Sequence, residues 1–182
     1  MKFIIEKKDF LTALSRIVHV VESKNTVPAL GNIKIKTGNG EICLTATDAN
    51  IFISARATAD VQEAGVITIP ALAIYKIVRQ LPWHSFVEFG IDKSGEAYLI
   101  SGQSRFSLST LPVEDFPVMA EGELPHSFTL TSAELSALID KTRFAVSTEE
   151  TRYYLNGIYL HVADGKDGRM LRAVATDGHR LA

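Results

Sequence analysis

The chain repeats itself, and that constrains its fold more than any single motif does. An alternating segment followed by an amphipathic one begins near Phe3, near Ile67 and near Phe128, 64 and 61 residues apart. Self-similarity at a fixed period marks a structural unit used more than once. In the first copy Phe3 and Ile5 alternate with charged neighbours, as in a short strand. Asp9 can then cap a helix whose apolar positions are Phe10, Leu14, Ile17, Val18 and Val21. In the second, Val66 to Ile69 read as the strand and Pro70 opens the helix. Its stripe is Ile74, Ile77, Val78 and Leu81, and Pro82 ends it. The third copy predicts a strand near Phe128, a cap at Thr131 or Ser132, Glu134 in the first turn, and an apolar face of Leu135, Leu138, Ile139 and Phe144.

Paired strands follow each helix. Gly38-Asn39-Gly40, Ser94-Gly95 and the stretch Gly165-Lys166-Asp167-Gly168 supply turn residues between alternating runs. The predicted unit is therefore strand, helix, then about three antiparallel strands, and the fold class is α+β. Two units pair into a first domain, residues 1–122. Residues 123–127 read as a linker, because Gly122 and Pro125 break the pattern. Residues 128–182 start a second domain that stops inside strand pattern.

Composition narrows the function. The 182 residues are 46% hydrophobic and 22% charged, with a formal net charge of -2. That describes an ordinary globular chain and excludes a wholly basic nucleic-acid binder, though not a local basic face. With Cys43 as the single cysteine, no internal disulfide and no multi-thiolate metal site can form. Cys43 lies between Ile42 and Leu44 and reads as a small buried residue. The first residues, Met-Lys-Phe-Ile-Ile-Glu-Lys-Lys-Asp, lack the apolar run of a signal peptide, and no window reaches membrane-spanning length. The expected location is cytoplasmic.

Asp177, His179 and Arg180 invite an acid–base reading. No nucleophile is identifiable beside them, and His19, His84, His126 and His161 show no metal-ligand spacing. The Ala-Thr-Asp core recurs as Ala46-Thr47-Asp48 without the Gly-His-Arg. A feature used twice is scaffold, so Asp177 reads as architecture. No catalytic residue, metal site or cofactor is expected.

Four segments, "TVPALGNI", "SRFSLSTLPVEDFP", "RYYLNGI" and "VATDGHRLA", resemble the bacterial sliding clamps, the beta subunits of DNA polymerase III. The resemblance runs from Met1 to Ala182. It implies a DNA-clamp fold of β-α-β-β-β units, with antiparallel sheets outside and helices on the DNA-facing side. It also implies a non-catalytic processivity factor. In the family two chains close head to tail into a homodimeric ring around double-stranded DNA, without sequence preference. The replicative polymerase subunit, the clamp loader and repair proteins dock through a peptide motif. A short clamp paralogue that binds proteins without encircling DNA is the alternative.

The resemblance also assigns residues. Lys24, Leu72, Glu149, Tyr153 and Tyr154 fall at DNA-contacting positions; Leu72 replaces a basic residue and Glu149 would repel phosphate. Lys76 and Arg79, on one side of the second helix, join them, with Arg16, Lys141 and Arg143 as further cations on the helices. Leu155, Thr176, Gly178, His179, Arg180 and Leu181 match one wall of the partner-peptide pocket. Gln103, Arg105, Phe106 and Leu108 match the dimer-interface edge.

Overall fold

The computed structural model describes residues 1–21, 27–119, 127–165 and 168–182. They divide into two compact units, Met1–Glu121 and Gly122–Ala182.

The first unit opens with strand β1 (Lys2–Glu6) and helix α1 (Lys7–Ile17). Strands β2 (Asn32–Gly38), β3 (Glu41–Thr47) and β4 (Phe52–Thr58) follow as a meander. Asn39 and Gly40 both take positive φ, 52° and 74°, which a two-residue hairpin loop of the primed type requires. Next come β5 (Asp60–Glu63), β6 (Gly65–Pro70) and helix α2 (Ala71–Gln80). Strands β7 (Phe86–Ile91), β8 (Ala97–Ser101) and β9 (Ser104–Leu108) complete the unit. They form two antiparallel sheets, ordered β5-β1-β7-β8-β9 and β4-β3-β2-β6.

Strand periodicity sorts the side chains. Ile33, Ile35, Ile42, Leu44 and Ile69 of one sheet point into the core, as do Phe3, Val87, Phe89 and Leu99 of the other. Phe10, Leu14 and Ile17 of α1, and Ile74 and Val78 of α2, close it. Phe3 stacks on Phe89 with centroids 5.1 Å apart and meets Phe10 edge-on at 6.0 Å. The outer face of the five-stranded sheet carries a polar cluster beside Ile4 and Ile100. There Lys2 pairs with Glu88 at 3.1 Å, Tyr98 donates to Glu88 at 3.3 Å, and the Arg105 guanidinium lies 4.7 Å over the Tyr98 ring. Gly90 makes room for that ring: a Cβ there would come within 2.5 Å of the Tyr98 hydroxyl.

Two local expectations change. Asp9 does not cap α1. The cap position is Glu6, without a side-chain cap bond, and Asp9 sits in the first turn, where a carboxylate still favours the helix dipole. The first helical residue, Lys7, is buried; its Nζ donates to Leu81 O at 2.7 Å and lies 4.2 Å from the Trp83 ring centroid. It thereby satisfies a carbonyl at the C-terminal end of α2 and ties the two helices together. Cys43 is not a core residue. It is half-buried and pairs across strands with Lys36 and Arg56, on the face opposite Ile42 and Leu44.

The second unit holds helix α3 (Ser132–Thr142) and the antiparallel pair β10 (Tyr159–Gly165) and β11 (Gly168–Val174). Thr131 is the N-cap in a full capping box. Its hydroxyl accepts from Glu134 N at 3.2 Å, and the Glu134 carboxylate accepts from Thr131 N at 2.8 Å. The strand expected near Phe128 does not form: residues 127–130 carry no strand assignment. β1 is held by β5 and β7, whereas β10 and β11 pair only with each other among the described residues. Without a partner strand, an extended segment leaves its backbone groups to solvent. Helix α3 packs on β11 while Leu135, Ile139 and Phe144 stay exposed. No helix among the described residues is long and apolar enough to cross a membrane.

Candidate functional site

The expected pocket wall begins as a turn whose geometry is set by two short side chains. Thr176 Oγ1 accepts from Gly178 N at 3.1 Å and donates to Arg180 O at 2.7 Å. Asp177 Oδ1 accepts from both His179 N and Arg180 N at 2.9 Å, and its Oδ2 accepts from Arg180 Nε at 2.8 Å. Side-chain oxygens thus stand in for the backbone carbonyls of a turn. Gly178 supplies the left-handed residue at φ 88°. Thr176 and Leu181 then form an isolated bridge, and Ala175 and Ala182 exchange hydrogen bonds at 3.1 and 3.0 Å. The backbone N–H groups of His179 and then Arg180, with the Arg180 side chain, hold the Asp177 carboxyl down at about 2. An acid this committed to its anion is a brace and a poor general base. His179, Arg180 and Leu181 project outward as exposed side chains, with the Arg180 guanidinium 5.7 Å from the Phe144 ring centroid.

Beside the turn runs a short 3-10 segment, Glu150–Leu155, entered from Glu149. It carries Tyr153 and Tyr154, 79% and 70% exposed, packed edge to face at 5.9 Å. No strand holds this aromatic pair; it stands on a helical turn. Leu155 is half-buried, and its carbonyl accepts from the N–H of buried Ser147 at 3.1 Å.

Arg152 joins the two pieces, and sequence reasoning missed it. Its Nε donates to Glu149 at 2.7 Å and its Nη2 to the other carboxylate oxygen, a bidentate pair. Its Nη1 lies 2.9 Å from where a Cβ on Gly178 would stand. The Arg152 hydrogen bond is the main cause that lowers the Glu149 carboxyl below its usual range; the charge of His179 adds to this and that of Asp177 opposes it. Glu149 therefore does not present a bare negative charge. The available signal was the i,i+3 spacing of the acid and the arginine.

The remaining expected residues are divided between the two units. Lys76 and Arg79 are exposed on α2, and Leu72 is half-buried there. Arg16 is exposed on α1. In the second unit Lys141 and Arg143 are exposed, and Arg143 pairs with Asp140 at 3.4 Å. Lys24 lies outside the described residues, as do residues 123–126 of the expected linker. At the β9 edge of the five-stranded sheet, unpaired on its outer side among the described residues, Leu108 is buried, Phe106 half-buried, and Gln103 and Arg105 exposed. Among the described residues no group of His, Cys, Asp or Glu is arranged to hold a metal ion.

Comparison with known proteins agrees with the reading of the four segments. The profile of the DNA polymerase III beta subunit N-terminal domain matches residues 1–120, and that of the central domain matches residues 129–182. The beta sliding clamp of Caulobacter vibrioides is 45% identical over 183 aligned residues, covering 100% of this chain and 49% of the relative. That of Escherichia coli strain K12 is 39% identical, again across 100% of the chain and 49% of the relative. The crystal structure of the Bartonella birtlesii sliding clamp bound to griselimycin superposes with a TM-score of 0.92 at 44% identity, covering 100% of this chain and 48% of that one. The chain spans about half the length of the relatives it matches. It belongs to the DNA polymerase III beta subunit family, the bacterial sliding clamps, and carries sequence of that family's N-terminal and central domains.

Proposed function

We propose that this chain is part of a DNA replication processivity factor, a non-catalytic sliding clamp that closes around duplex DNA as a head-to-tail homodimer in the cytoplasm. The match of both domain profiles, in order, carries this reading. Residues 1–122 supply a complete clamp domain and residues 128–182 part of a second. The exposed cations of α2, Lys76 and Arg79, serve phosphate, and Tyr153 and Tyr154 of the second unit serve the duplex; Lys24, outside the described residues, is assigned to DNA by the family resemblance alone. Leu72 removes one cation from that face. Contacts this sparse suit a ring retained by topology: phosphate contacts carry no sequence information and weaken with salt. Direct affinity of the chain for duplex DNA is expected on the order of 10⁻⁴ M or weaker.

The edge strand β9, with Gln103, Arg105, Phe106 and Leu108, forms one side of the dimer interface. Leu155, Thr176, Gly178, His179, Arg180 and Leu181 form one wall of a pocket that takes the peptide motif of the polymerase, clamp loader and repair proteins. Griselimycin, to which the Bartonella birtlesii clamp is bound, is the candidate ligand of that pocket. The deciding experiment loads the full-length protein onto nicked circular DNA, linearises the DNA, and follows retention in high salt. Retention on circles with rapid loss from linear DNA is expected. Equal loss from both overturns the ring.

A further inference from the structure

One guanidinium serves two surfaces in the second unit. Arg152 gives two N–H groups to Glu149, at the start of the segment that carries the exposed tyrosine pair. Its third nitrogen backs the Gly178 turn, close enough that a Cβ there would sit 2.9 Å away. Nothing else among the described residues pairs with the Glu149 carboxylate. We propose that Arg152, held by Glu149, is a positioning residue common to both surfaces, and that through it duplex DNA and a pocket ligand weaken each other's binding. This rests on the clamp reading.

The physical basis is competition for a planar fork. A phosphate that settles beside Tyr153 and Tyr154 attracts the same N–H groups that Glu149 occupies, and a guanidinium cannot present one edge to a carboxylate and a phosphate at once. Turning Arg152 toward phosphate withdraws the guanidinium that lies beside Gly178, whose φ of 88° places the His179 and Arg180 backbone. A ligand packed on that turn favours the other state, with Arg152 seated on Glu149 and withheld from the phosphate. Two states with opposite preferences give reciprocal antagonism. Because the Arg152 and Glu149 side chains are 31% and 54% exposed, the effect is that of a solvent-accessible ion pair, about two- to fivefold in affinity.

The test titrates griselimycin into the full-length protein by calorimetry, with and without saturating duplex DNA at low ionic strength. Wild-type protein is expected to bind griselimycin about two- to fivefold more weakly when DNA is present. Glu149→Gln removes the anchor, so griselimycin affinity falls without DNA and the ratio moves to about one. Arg152→Lys, which cannot make the bidentate pair, does the same. Urea midpoints of both variants stay at the wild-type value, which separates positioning from loss of fold. Identical griselimycin affinity with and without DNA in the wild type overturns the proposal and leaves the clamp reading standing, since both ligands then still bind. Coupling that survives Glu149→Gln overturns the role of the pair. Loss of topological retention on circular DNA removes both readings.

Discussion

The turns at Thr47 and at Thr176 share one skeleton and differ in what is built on it. Ala49 N donates to Thr47 Oγ1 at 2.9 Å, as Gly178 N does to Thr176 Oγ1 at 3.1 Å. Asp48 Oδ1 accepts from Asn50 N and Ile51 N at 2.8 and 2.7 Å, as Asp177 Oδ1 does from His179 N and Arg180 N at 2.9 Å. The third residue is left-handed in both, Ala49 at φ 80° and Gly178 at φ 88°. In the first unit Thr47 is fully buried, and the turn joins β3 to β4. In the second, the aspartate also holds Arg180, and Arg152 lies where a side chain at the third position would go. The shared bonds are scaffold; the differences mark the candidate site.

Thr47→Val is expected to break the comparison at its buried turn. It keeps the shape but replaces a buried hydroxyl and removes the acceptor of the part-buried Ala49 N–H bond, which costs about 0.5–1.5 kcal/mol, read as a lower urea midpoint. Thr176→Val, on a more exposed turn, should move stability less and griselimycin affinity more. Gly178→Ala forces a Cβ into left-handed backbone at a cost of about 1–2 kcal/mol and pushes against Arg152. Its griselimycin affinity should drop about tenfold by calorimetry, and an unchanged affinity would remove Gly178 from the pocket. Ala49→Gly relieves the same backbone strain where no site depends on it. It should be neutral to stabilising, by less than about 1 kcal/mol in urea.

The smallest effect is a matter of pH. Asp48 and Asp177 are both lowered by backbone N–H groups, Asp177 to about 2 from an ordinary 3.8. A lowered carboxyl contributes stability that is fully present above its unfolded value and is lost as pH falls through the folded one. The Asp177 turn should therefore hold above pH 3.8 and weaken toward pH 2, and the Asp48 turn should weaken in the same direction as pH falls below 3.8. Asp177→Asn should flatten that limb of the stability profile. A profile identical to wild type would mean that the carboxylate does not brace the turn.

Features legible in the sequence were those made by neighbours in the chain. Asn39-Gly40 announced a hairpin because primed turns demand positive φ at both residues. The cap was legible as Thr131 or Ser132 with Glu134 in the first turn, and the folded helix takes Thr131 in a full capping box. The Thr-Asp echo marked Asp177 as scaffold before any geometry was known. Strand β5 was not legible: Asp60–Glu63 has only Val61 as an apolar residue, too little alternation to register. It exists because β1 offers an edge to pair with, 54 or more residues earlier in the chain.

By itself, then, the sequence determined the repeated unit, its helices and most of its hairpins, and the family, since periodicity and turn chemistry act over a few residues. Only the tertiary structure decided the rest. Lys7 is buried because the end of α2 and the Trp83 ring meet it there. Cys43 faces outward because register places it between Lys36 and Arg56. Arg152 acquires its place because a turn 26 residues later folds against it. Which surfaces meet is settled by packing among segments far apart in the chain, and local pattern carries no record of that choice.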